Sequence, residues 1–276
     1  MNALLLPAAR LIGATFTLCA LLLSTAALAA PDEIVVFTDE FEKKGEVGYE
    51  LHLNYAARAR KTPDYPGEQP PHRVFRVMPE VAWGIADKWN LGVHVPFSYS
   101  LNARSFSLDG LKIRPHNLNV IEHSPDSSTY YGANYEIAIY DKRITESRYN
   151  GELRGILGHK HGDWKFTLNP IINQALFKNP NGRPLELEVF GQVIREFGDD
   201  FALGVEHYSS LGRLSRPTFG PGSEQISYLV AEFKTKKHYE FHLGVGQYQR
   251  AGVRVLRCDA AAPAAGRCRW PALPAL

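Results

Sequence analysis

Residues 47–58 read Val-Gly-Tyr-Glu-Leu-His-Leu-Asn-Tyr-Ala-Ala-Arg. Val47, Tyr49, Leu51, Leu53, Tyr55 and Ala57 are apolar or aromatic. Gly48, Glu50, His52, Asn54, Ala56 and Arg58 between them are small, polar or charged. Successive strand side chains point to opposite faces, so the alternation describes a strand between an apolar medium and a polar one. A half-buried strand of a soluble antiparallel sheet reads the same way. Recurrence, run length and the destination of the chain decide between the two.

The destination is legible first. Arg10, an apolar run over 11–23 and Ala27-Leu28-Ala29 follow the basic, apolar, small-residue order of a cleavable export signal. Cleavage is expected after Ala29, because a cut after Ala30 puts Pro31 at the scissile bond. Leu18 precedes Cys19, which argues against a lipoprotein anchor. The expected division is a signal peptide over 1–29, an outer-membrane β-barrel over 30–246 and an atypical C-terminal tail over 247–276. Residues 30–44 read as an acidic and apolar periplasmic lead-in.

A net charge of +2 gives no electrostatic case for nucleic acid. Beyond the signal no stretch approaches the about 18–20 consecutive apolar residues of a membrane helix, which excludes a helical membrane protein. A β-barrel escapes that test, since its lipid face is built from alternate residues. Beyond the signal the cysteines are Cys258 and Cys268, both in the tail, so disulfides do not stabilise the body of the domain. A bridge between these two is left open.

The alternation recurs over 74–85, where Phe75, Val77, Val81, Trp83 and Ile85 oppose Arg76, Glu80 and Gly84; Pro79, on the apolar face, suggests a bulge. It returns over 89–101, with Trp89, Leu91, Val93 and Val95 opposing Asn90, His94, Ser98 and Ser100. Trp83 and Trp89 flank the turn at 86–88, as in an interfacial aromatic girdle. Further strands are expected over 130–140, 152–158, 164–173, 185–195, 201–208, 225–233 and 239–245. Connections at 159–163, 196–200 and 234–238 are short; those at 58–73, 141–150, 177–184 and 209–224 are long and rich in Pro, Gly and Ser. Outer-membrane barrels alternate short periplasmic turns with long external loops. Keeping that alternation requires a strand at 110–115, with Lys112 and Arg114 inward, followed by a longish turn over 116–128. An even strand number requires one more, at 251–256, pairing with the first. Ten strands are legible directly, and parity raises the total to about twelve. The expected fold is an all-β, antiparallel transmembrane β-barrel.

Tyr131-Gly132-Ala133-Asn134-Tyr135-Glu136, Gly151-Glu152-Leu153-Arg154-Gly155-Ile156-Leu157-Gly158 and Asp163-Trp164-Lys165-Phe166-Thr167-Leu168-Asn169-Pro170 together resemble outer-membrane barrels grouped as MetA-pathway-of-phenol-degradation-like proteins. Ala202-Leu203-Gly204-Val205-Glu206-His207-Tyr208 and Leu243-Gly244-Val245-Gly246 continue the resemblance, which spans 45–246. It implies passage of hydrophobic or aromatic compounds and brings no catalytic residues. After Gly246 the family carries an alternating strand with a terminal aromatic residue. Here an Ala/Pro/Arg/Cys-rich stretch follows instead, the composition expected of a frameshifted end.

The expected lumen-lining residues are Glu50, His52, Asn54, Arg76, Glu80, His94, Glu136, Glu152, Arg154, Lys165, Glu186 and Glu188, with Arg58 and Arg114 beside them. Mixed charge there suits either a polar path or a salt-bridged filling. His207 and Ser209 carry the His-x-Ser spacing of lipid A deacylases, with Glu206 or Glu224 as the acid, but they share the lipid-facing parity of Leu203 and Val205. His159 and His161 read as a solvated turn rather than a metal site. The leading expectation is a passive, non-enzymatic channel in the bacterial outer membrane for small hydrophobic or aromatic compounds, without cofactor. Its partners are outer-membrane lipid and lipopolysaccharide, the barrel-assembly machinery and the solute. The alternatives are a lipid-modifying hydrolase and a soluble periplasmic lipocalin-like binder.

Overall fold

The computed structural model describes residues 35–177, 184–219, 223–235, 240–248 and 254–263, the last of these by its backbone. The signal at 1–29, residues 251–253 of the expected final strand, and Cys268 lie outside the described residues.

Among the described residues, one antiparallel sheet of fourteen strand segments forms the fold. In chain order they are β1 (Val47–Ala56), β2 (Val74–Ala86), β3 (Trp89–His94), β4 (Phe97–Ser100), β5 (Ser105–Leu108), β6 (Gly110–Ser124), β7 (Ser127–Tyr140) and β8 (Tyr149–His161). They continue with β9 (Trp164–Ala175), β10 (Glu186–Glu196), β11 (Phe201–Arg213), β12 (Glu224–Lys234), β13 (Glu240–Tyr248) and β14 (Arg254–Pro263). Each strand from β6 onward pairs with the next, and β1 is hydrogen-bonded to both β2 and β14. β3 and β4 both pair with β2 and are two halves of one stave. β5 and β6 divide the neighbouring stave in the same way. The segments therefore make twelve staves. At the long-loop rim β5 pairs, among the described residues, with β4 alone and leaves an edge.

The split has a local cause. Pro96 has no N–H to give to a ladder, and the chain steps out of the sheet at Val95 and Pro96. The neighbouring stave breaks at the same level, where the Asp109 amide donates to Pro96 O at 2.8 Å and Ser98 Oγ donates to Asp109 Oδ1 at 2.9 Å. Pro79 does not bulge: β1 and β2 stay in register through Leu51↔Pro79, and the irregularity falls in the partner stave. The long turn expected over 116–128 is likewise absent. β6 runs on to Ser124 and turns into β7 within two residues. Its outward Asn117 and Asn119 had hidden the strand, because at this end the outer face leaves the apolar belt; Asn117 Nδ2 donates to Lys88 O at 2.8 Å. The final strand lies at Arg254–Pro263 rather than 251–256, and it takes the expected place beside β1.

Outward positions carry the belt that the alternation demanded: Tyr49, Leu53, Val81, Ile113, Ile137, Leu153, Leu168, Val205 and Leu243 are all exposed. At the short-turn end Trp83, Trp89, Trp164, Phe197 and Phe233 stand exposed. There the Arg195 guanidinium lies 5.6 Å from the Trp164 ring centre and 5.2 Å from that of Phe197. Inside, Ile171, Phe190, Ile194, Tyr208 and Tyr228 form one apolar cluster, and Leu118, Tyr130 and Ile156 form another.

Residues 35–44 do not stand outside the barrel as a periplasmic lead-in; they run through the lumen. Val36 packs into the first cluster, and Phe37 and Phe41 against the second. Further along, the segment presses on β2 so closely that a Cβ on Gly84 would stand 2.0 Å from Lys43 O, which is why that position is glycine.

A cation in the apolar belt is expected to cost about 2–4 kcal/mol near mid-bilayer. Leu153→Arg, in the middle of β8, should lower stability by that amount in urea titrations of the protein folded into phospholipid vesicles. An unchanged midpoint would contradict a lipid-facing belt.

Candidate lumen and its charged wall

Even-numbered residues of β1, β2 and β3 point inward, placing Glu50, His52, Asn54, Arg76, Glu80 and His94 on one wall. The inward face of β7 through β10 supplies Glu136, Glu152, Arg154, Lys165, Glu186 and Glu188. Arg58, by contrast, lies beyond the end of β1 and is exposed.

Several of the buried inward charges are paired, as burial requires. Glu136 takes two cations: Lys112 Nζ at 3.1 Å, and Arg114 through Nε at 3.1 Å and Nη2 at 2.5 Å. Arg154 Nε donates to Glu152 Oε1 at 2.8 Å. Lys165 Nζ stands 3.9 Å from both Glu232 and Glu40. His52 Nε2 lies 3.2 Å from Glu80 Oε2 and 3.5 Å from Glu50 Oε2, and His94 Nδ1 lies 3.1 Å from Glu80 Oε2.

The lumenal segment is held by the same wall. Asn169 clamps its backbone, with Oδ1 accepting from Phe37 N at 2.7 Å and Nδ2 donating to Phe37 O at 3.0 Å. Asn90, with its amide oriented to suit, makes the same pair with Glu42 at 2.7 and 2.9 Å. The Phe37 ring lies 4.6 Å from the Arg114 guanidinium and 4.7 Å from that of Arg154. Arg154 Nη1 donates to Val35 O at 2.9 Å, and Lys160 pairs with Asp39 at 2.6 Å. The composition of 30–44 carries no sign of these contacts, which arise from strands far along the chain.

On the long-loop side of this segment lies a cavity of about 380 Å³. Arg76, Glu136, Glu152, Arg154, Glu186 and Glu188 line it, half of the residues expected in the lumen. Tyr140, Phe190, Tyr208 and Ile226 add an apolar side, and Glu68 and Gln69 of the β1–β2 loop roof it. That loop is tied down by Arg60, whose Nη1 and Nη2 donate to Glu68 at 2.9 and 2.6 Å, and by Gln69 N donating to Arg143 O at 2.9 Å. Burial alone would raise the Glu68 carboxyl. The Arg60 hydrogen bonds and the Asp64 amide outweigh it and hold the group below the usual carboxylate range.

His207 and Ser209 face outward and are bonded to each other, Ser209 Oγ to His207 Nε2 at 3.0 Å, with His207 Nδ1 2.8 Å from Ser227 Oγ. Glu206 is turned into the lumen, where Gln192 Nε2 and Tyr208 OH donate to it at 2.9 and 2.6 Å. Glu224 lines the cavity. Both carboxylates named as the acid of a hydrolase therefore lie across the wall from the imidazole. His159 and His161 lie in the last three residues of β8 rather than in the expected turn, which shrinks to 162–163; His159 is exposed, with Nδ1 3.0 Å from Thr129 Oγ1.

Among solved structures, the chain is similar to the COG4313 outer membrane channel from Pseudomonas putida F1, at a TM-score of 0.55 and 10% identity over 84% of this chain and 100% of that one. It is also similar to a KdgM porin (TM-score 0.48, 12% identity, 78% of this chain and 98% of that one). A third likeness is to outer membrane phospholipase A from Escherichia coli (TM-score 0.41, 13% identity, 79% and 96%). The first likeness establishes the fold as that of outer-membrane β-barrels. No family model matches the sequence, and no curated protein matches it.

Two outcomes follow from the charge pairs. Glu136→Gln removes the anion shared by Lys112 and Arg114 and should cost about 3–5 kcal/mol in urea unfolding. The lowered Glu68 pKa stabilises the loop above the ordinary carboxylate range, and that support disappears as pH falls through the lowered value. Hydrogen exchange over 57–73, corrected for intrinsic rates, should therefore lose protection only in acid. Arg60→Gln should remove that acid transition.

Proposed function

We propose that the chain is a passive channel of the bacterial outer membrane, exported by the signal at 1–29 and inserted by the barrel-assembly machinery. Its solutes are small aromatic compounds, neutral or cationic. The observation that carries this reading is the cavity: a polar, loop-roofed chamber inside a barrel whose outside is apolar. The exposed belt also argues against a soluble lipocalin-like binder. Carboxylates outnumber cations in the cavity wall, and Glu186 and Glu188 are added to the balanced Glu136 and Glu152 groups. Such a wall disfavours anions. Tyr140, Phe190 and Tyr208 offer faces to an aromatic solute. The family resemblance of 45–246 points to the same solute class. Residues 35–44 cross the lumen beneath the cavity, so a solute passes only when they move aside.

Planar-bilayer recording of the refolded protein tests the proposal. Deleting residues 35–44 should raise conductance several-fold, and the reversal potential in a salt gradient should show cation preference. Glu186→Gln with Glu188→Gln should weaken that preference. A barrel that shows heat-modifiable migration on gels yet passes no current, with or without the segment, would overturn the reading.

A further inference from the structure

On the wall formed by β1, β2 and β3, imidazoles and carboxylates converge at one point. The registered pairs Glu50↔Glu80 and Glu80↔His94 set three of them in a row across the strands. His52, on the same face two residues beyond Glu50, reaches back into that row. Donor atoms of His52, Glu80 and His94 all lie within 4.8 Å of one another. Their side chains are 3%, 8% and 0% exposed, whereas Glu50 is 38% exposed and forms the open side of the group. Like charges directly opposite on neighbouring strands are destabilising, and positive charge at His52, which stands 3.5 Å from Glu50 and 3.2 Å from Glu80, relieves them. The backbone also makes room: a Cβ on Gly92 would stand 2.8 Å from Glu80 Oε1 and 3.1 Å from His94 Nε2.

We propose that this cluster is a binding site for a divalent transition-metal ion of the zinc class. The ligands are His52 through Nε2, His94 through Nδ1 and Glu80 through Oε2; Glu50 stands on the open side, outside that three-donor group but 3.5 Å from His52, and closes on the bound ion as the fourth ligand. Tetrahedral zinc holds nitrogen and oxygen ligands at about 2.0–2.1 Å, which spaces the donor atoms roughly 3.3–3.4 Å apart. The donor separations at Glu80 and His52 are 3.1, 3.2 and 3.5 Å. Two imidazoles with carboxylates suit zinc and its neighbours, whereas calcium and magnesium take oxygen ligands. A second imidazole and carboxylate group, Glu40, Glu232 and His242, already has the Lys165 ammonium 3.9 Å from both carboxylates. It serves as the internal comparison.

The test uses the full chain without an affinity tag, refolded in detergent, stripped by chelator and titrated calorimetrically with zinc ion at neutral pH. One ion per barrel is expected. His52→Ala with His94→Ala should weaken binding at least about 100-fold, and His242→Ala should leave it unchanged. Heat-modifiable migration reports whether each variant has folded. Cobalt(II) bound to the unmodified protein gives a readout that needs no variant: intense visible bands of a four-coordinate ion are expected. No uptake by the unmodified chain, equal affinity in the double variant, or the weak spectrum of six-coordinate cobalt would each overturn the proposal. None of these readouts depends on whether the barrel conducts.

Discussion

A strand in hydrocarbon finds no water for its N–H and C=O groups, so the ladder of a membrane barrel has to return to its own start. Here that requirement falls on β1, which is hydrogen-bonded to β2 on one side and to β14 on the other. β14 reads Arg-Val-Leu-Arg-Cys-Asp-Ala-Ala-Ala-Pro and shows no alternation. Backbone pairing is indifferent to that, since every residue but proline brings one donor and one acceptor. The one proline sits at the last position of the strand. The closing strand thus meets a backbone requirement that its side-chain pattern does not advertise.

Closure fixes the interior. With twelve staves the lumen is narrow, and most of its inward charges are buried in the wall rather than bathed in bulk water. Burying them is tolerable only with partners, and the partners come mostly from neighbouring staves: Glu136 on β7 with Lys112 and Arg114 on β6, and Glu80 on β2 with His52 on β1 and His94 on β3. The lumenal segment brings a further difficulty, because it carries backbone polar groups into the same enclosed space without a strand to pair with. Asn90 and Asn169 solve it at two points, each presenting an acceptor and a donor as a neighbouring strand would.

Period-two alternation made most of the fold legible, since each face of a strand meets one medium over its whole length. The reading failed where that condition lapsed. Outward Asn117 and Asn119 lie past the apolar belt, so β6 looked like a turn. Pro79 looked like a bulge because a single strand does not reveal that its neighbour steps away at Val95 and Pro96. The inward parity of Glu50, His52, Glu80 and His94 was readable, but their convergence was not. It depends on the register of three strands and on the absence of a side chain at Gly92. The lumenal course of 35–44 was invisible for a stronger reason: its partners, Arg114, Arg154 and Asn169, lie far along the chain.

What keeps that segment in place can be weighed. Its hydrogen bonds to Asn90 and Asn169 contribute on the order of 1 kcal/mol each. The Lys160–Asp39 pair is partly exposed and contributes no more than about 1 kcal/mol, less as salt rises. Burying an apolar side chain of the size of Val36, Phe37 or Phe41 is worth about 1.5–3 kcal/mol when complete, and salt does not screen it. Phe37 also lies between two guanidiniums, which adds to its hold. The apolar residues of the segment therefore set its seat, and its acidic residues set its register. Read for charge alone, 30–44 is a solvated leader. Val36, Phe37 and Phe41 nonetheless need an enclosed surface, and the lumen provides it for 35–44.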